Sequence, residues 1–188
     1  WLWHEDSEYT EASVFETDVK ADEISLENKY IKAVFDEKTG GIKSLITKED
    51  GAEYVGGEFC IPTVIDNSEP DTWAHNIFKF DKEIAKMQLK SIELVENGAA
   101  RAVIRVKHIY NGSYLTQDFI LAKGQKTLRV DCKAMWQEKF TMLKFAFPVG
   151  GENEISTYEI PCGFINISLG LICVCDIVHA PGVLLCIT

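Results

Sequence analysis

The chain has 188 residues, 46% of them apolar and 26% charged, the composition of a soluble globular domain. It is long enough to bury a core without metal or disulfide staples, which leaves its six cysteines structurally optional. Nineteen basic against twenty-nine acidic residues give a net charge of −10, opposing a phosphate backbone or an anionic membrane surface, so neither nucleic acid nor membrane is an expected partner.

The chain opens on Trp1 rather than methionine, which points to a piece of something longer. With no basic leader and no clean spanning segment, the expected compartment is cytoplasmic. Residues 1–21 carry Glu5, Asp6, Glu8, Glu11, Glu16 and Asp18 without sustained alternation and read as a linker or extended arm. A β-domain is expected over residues 22–165. Its first strand starts near Ile24, and the strands Tyr30–Phe35 and Ile42–Ile46 flank the turn residues Asp36 to Gly41. Helical spacing is best over Lys82–Leu89, a short segment between strands.

Further along, a period of two dominates. Ala102, Ile104, Val106 and His108 share one face of a strand over Arg101–Tyr110, with Arg101, Arg105 and Lys107 on the other. Leu115, Phe119 and Leu121 line one face of the next strand. Over Thr127–Trp136, Leu128, Val130, Cys132, Ala134 and Trp136 alternate with polar residues, the pattern of a half-buried antiparallel strand. Asn97-Gly98 and Asn111-Gly112 fit two-residue hairpin loops, and Lys123 to Lys126 fits a fourth reversal. Roughly ten strands with little helix make an all-β fold, a β-sandwich or partly closed barrel. Residues 166–188 form an atypical apolar tail rich in cysteine, with Asp176 its one charged residue.

Asp71-Thr72-Trp73-Ala74-His75 gathers a carboxylate, an indole and an imidazole in one loop. Trp73 suits stacking on a sugar ring, and Asp71 and His75 suit hydroxyl hydrogen bonds; the alternative is a plug at the end of the sandwich. Glu138 follows a strand-end tryptophan and reads either as a functional acid or as a turn residue. Cys173, Cys175 and His179 have metal-ligand chemistry but match no common zinc spacing, so no metal site is assigned. His108 reads as a hydrogen-bonded core residue and His4 as a solvated one. Asn111-Gly112-Ser113 and Asn166-Ile167-Ser168 match the glycosylation acceptor pattern, one too short to prove secretion.

Taken in order, several stretches resemble one family. Ile24 to Asn28, Val34-Phe35-Asp36 and Lys38 to Leu45 are similar to the opening hairpin of the C-terminal β domain of family 38 glycoside hydrolases, the α-mannosidases. Asp71 to His75, Trp136-Gln137-Glu138, Leu143 to Pro148 and Tyr158-Glu159-Ile160-Pro161 continue the likeness through about residue 165. The resemblance implies a large antiparallel supersandwich of the galactose-mutarotase type and a parent that hydrolyses terminal α-mannosides with retention and zinc. It also implies that nucleophile, general acid and zinc ligands reside in an N-terminal catalytic domain, the expected partner. No catalytic residue, metal ligand or cofactor is carried over to this chain. Asp71, Trp73 and His75 are the expected carbohydrate-binding residues, lining the cleft that admits the α-mannoside. The rival readings are a stand-alone carbohydrate-binding module and an aldose-epimerase-like enzyme with His75 or His108 as acid.

Overall fold

The computed structural model describes residues 16–68 and 80–149 in full, and 155–160, 163–168, 177–180 and 183–187 as backbone strands. The described residues form strands and turns with no helix, so no helix is long and apolar enough to cross a membrane. In chain order the strands are β1 (Lys20–Ala21), β2 (Ser25–Glu27), β3 (Ile31–Phe35), β4 (Ile42–Thr47) and β5 (Pro62–Asp66). Then come β6 (Glu83–Lys86), β7 (Gln88–Asn97), β8 (Arg101–Tyr110), β9 (Ser113–Ala122) and β10 (Thr127–Met135). β11 (Thr141–Phe145), β12 (Ile155–Ile160), β13 (Gly163–Ser168), β14 (Ile177–Ala180) and β15 (Val183–Ile187) complete the series.

The strands form a four-stranded sheet β1-β2-β3-β4, a six-stranded sheet β14-β15-β10-β9-β8-β7, a three-stranded sheet β11-β5-β6 and the pair β12-β13. Pairing is antiparallel except between β10 and β15. Alternation in β8, β9 and β10 sends Ile104, Val106, Leu115, Phe119, Leu121, Leu128 and Val130 inward. Leu26, Ile31, Ala33, Phe35 and Leu45 of the first sheet complete the same core. Phe35 and Phe119 join the two layers edge to face. This is a β-sandwich, as the alternation requires.

Two polar devices tie the layers together. Buried Asn28 accepts backbone N–H bonds from Tyr30 and Ile31 and donates through Nδ2 to Ala122 O and Gln125 O, fixing the β2–β3 turn on the β9–β10 turn. Asp36 Oδ1 accepts from the N–H groups of Lys38 and Thr39, shaping the β3–β4 turn. Within that turn Gly40 stands at φ 71°, and a Cβ there would meet Val106 Cγ1 at 2.5 Å and Leu89 Cδ1 at 2.8 Å. The turn packs this closely because it has no side chain at Gly40.

The three-stranded sheet adds Val64 and Phe145 to this same core. Phe59 and Phe147 meet edge to face at 5.2 Å, and the Cys60 N–H donates to Ala146 O. Two local expectations change. Lys82–Leu89 is not helical: Glu83–Lys86 pairs with β5 and the chain turns at buried Met87 into β7, because strand partners on both sides outweigh local spacing. Asn97-Gly98 does not make a two-residue loop. A bulge between Leu94 and Glu96 shifts the register so that Asn97 opposes Ala102, lengthening the reversal.

Candidate functional site

One end of the sandwich gathers the side chains of greatest chemical interest. The β8–β9 hairpin reverses through Asn111 and Gly112, with Tyr110 opposite Ser113 and Asn111 at φ 47°. This brings Ser113 beneath the segment that follows β10. Ser113 Oγ donates to Glu138 Oε1 at 2.9 Å and accepts the Gln137 N–H at 2.9 Å, while Asn111 Nδ2 donates to Glu138 Oε2 at 3.2 Å. Tyr110 and Trp136 stack below, centroids 6.5 Å apart and planes 12° from parallel.

These bonds decide the protonation of Glu138. Donation from Asn111, then from Ser113, holds its carboxyl below the usual range. A carboxylate so held is an acceptor that latches the hairpin, whereas a general acid needs the opposite displacement. The turn role weighed for Glu138 is therefore the one its contacts support.

The segment carrying Asp71, Trp73 and His75 lies outside the described residues. Its roots are described. Asp66 at the end of β5 pairs with Lys82 at 2.7 Å and accepts the Ser68 N–H, and these partners hold its pKa at about 2. The Asn67 N–H donates to Phe140 O at 2.8 Å, and Lys144 Nζ donates to Phe80 O. The loop thus springs from the neighbourhood of the turn bearing Trp136, Glu138 and Phe140. Phe140 itself is 70% exposed at φ 56°, an uncommon backbone for an aromatic residue.

His108 is buried as its strand face requires. Its Nε2 lies 2.9 Å from Thr39 O, so the Nε2–H tautomer donates to that carbonyl, and Nδ1 is buried without a partner. Burial lowers its pKa, outweighing the Thr39 bond, and the neutral ring sits against the glycine turn rather than facing a substrate. Cys173 and Cys175 lie outside the described residues, as does His4, and His179 is described only as part of β14. Among the described residues no group of three or more His, Cys, Asp or Glu converges as metal ligands.

The latch partners Asn111 and Ser113 were not singled out from sequence as partners of Glu138. The signal for them was the hairpin register, which places Ser113 at the first position of β9. Gln117 and Cys60 were missed likewise: Gln117 Nε2 contacts Cys60 Sγ at 3.4 Å inside the core, across an interval no local pattern reveals.

The family model described as the C-terminal domain of glycosyl hydrolases family 38 matches residues 26–167, well over half of the chain. No curated protein matches it.

Proposed function

The chain belongs to the C-terminal domain family of the family 38 glycosyl hydrolases, and on that premise we propose that it is the non-catalytic β-sandwich of a zinc-dependent, retaining α-mannosidase. In the parent, a carboxylate of the N-terminal catalytic domain attacks the anomeric carbon and water then releases the sugar. Zinc in the parent supplies binding of sugar hydroxyls. The described residues offer no ligand set for it.

The single observation that carries this reading is the family match across the sandwich. Asp36, Asp66 and Glu138 are all held below the ordinary carboxyl range by turn contacts, with Thr39 N–H, Lys82 and Asn111 respectively the leading causes, and each is engaged in a turn.

The part assigned to Asp71, Trp73 and His75 is to line the wall of the cleft. Support comes from the roots of their loop, which meet the turn carrying exposed Phe140. The test is reconstitution: the chain co-expressed with a family 38 catalytic portion should co-purify with it and raise its turnover of an aryl α-mannoside. No association and no change in turnover would count against the proposal.

The same exposed Phe140 favours a second reading, a free-standing sugar-binding module. Titration calorimetry with mannobiose separates the two. A scaffold gives only heat of dilution, and a module gives a saturable signal.

A further inference from the structure

Two segments match the Asn-x-Ser acceptor pattern, Asn111-Gly112-Ser113 and Asn166-Ile167-Ser168. The fold treats them differently. Asn111 is exposed at the tip of the two-residue β8–β9 hairpin, beyond the last paired residues Tyr110 and Ser113. Its left-handed φ of 47° is one that asparagine tolerates better than most residues, so the tip is settled without a glycine at that position. Asn166 lies within β13, with Thr157 of β12 directly opposite.

The Glu138 latch is compatible with substitution at Asn111. An asparagine amide nitrogen carries two hydrogens, and Asn111 uses Nδ2 toward Glu138 Oε2. Replacing one hydrogen by a sugar carbon leaves the other to donate. Ser113, whose hydroxyl the transfer enzyme reads, is fully buried in the folded chain and engaged with both Glu138 and Gln137. Recognition therefore precedes closure of the hairpin, after which the same hydroxyl serves the latch.

We propose that Asn111 is an N-linked glycan acceptor when the chain enters a secretory lumen, in place of the cytoplasmic compartment expected from its sequence, a property independent of its place in a mannosidase. In the transfer, Asn111 Nδ2 bonds to the anomeric carbon of a lipid-linked diphosphate oligosaccharide. The bond from that carbon to the diphosphate oxygen breaks, the lipid diphosphate leaves with the electron pair, and the displaced Nδ2 proton passes to the enzyme's base.

The experiment is to translate the full chain behind a cleavable secretory leader with microsomes and treat the product with an amidase that releases N-glycans. In an Asn166→Gln background the expected result is one amidase-sensitive step in mass, kept in Ser113→Thr and lost in Asn111→Gln and Ser113→Ala. The Ser113 pair guards against loss through misfolding, since Thr retains the hydroxyl. No amidase-sensitive step in that background, or one that survives Asn111→Gln, would overturn the proposal.

Discussion

Phe35 and Phe119 meet edge to face with ring centroids 4.7 Å apart and planes at 68°, joining β3 of one sheet to β9 of the other. Both rings are essentially inaccessible to solvent. The contact spans the layer whose existence the alternating pattern only implied.

Replacing either ring by alanine should therefore unfold much of the domain. Phe35→Ala and Phe119→Ala are each expected to cost about 3–5 kcal/mol by urea denaturation. A double-mutant cycle through the pair should return a coupling of about 0.5–1.5 kcal/mol. Additive losses would mean that the two rings act as independent filler.

Gly40 and Gly51 share a left-handed φ, 71° and 72°, but differ in surroundings. A Cβ at Gly51 meets nothing within 4 Å, while one at Gly40 collides with Val106 and Leu89. Gly51→Ala should cost only the backbone term of about 1–2 kcal/mol. Gly40→Ala should cost clearly more, and equal losses at the two sites would contradict the packing described for the turn.

The latch around Glu138 yields a third prediction. Ser113→Ala removes the hydroxyl that both donates to Glu138 and accepts from Gln137, with an expected loss of about 1–2 kcal/mol. Glu138→Gln should also weaken the hairpin, without any effect on chemistry in a reconstituted enzyme. A selective fall in kcat from Glu138→Gln, with stability unchanged, would assign it a catalytic part.

Stability should fall on acidification in two stages. His108 has a folded pKa below its ordinary 6.5, so the unfolded chain takes up the proton first, and stability is lost as pH drops below 6.5 toward the folded value. Asp36, Asp66 and Glu138 are depressed from 3.8, 3.8 and 4.5, so their contribution is full above those values and disappears below them, reaching down to about pH 2 for Asp66. Urea midpoints at pH 7.5, 5.5 and 3.5 measure both limbs. His108→Gln should flatten the first limb and leave the second intact.

How much of this was legible beforehand follows from the range of the interactions. Alternation makes β8, β9 and the first half of β10 readable because one face of each is buried, and His108 falls in the core on that ground alone; past Val130 the pattern fails, since Cys132 is half-buried and Ala134 exposed. Asn111-Gly112 was readable because the turn chemistry is local, whereas Asn97-Gly98 carried the same signal and failed against a bulge within β7 itself. The partnership of β5 with β6 and β11 was not readable, since Val64 and Leu143 lie far apart in the chain and only packing brings them opposite. The Glu138 latch was hidden for the same reason. Asp71, Trp73 and His75 stand out by residue type, but nothing local says what their loop faces.

On the proposed reading, bond cleavage belongs to another domain and this sandwich supports it. Turnover of an aryl α-mannoside by the purified chain with zinc supplied should then be indistinguishable from that of zinc in buffer alone. Saturable hydrolysis that follows the concentration of the chain and disappears with a chelator would place the chemistry in this chain instead.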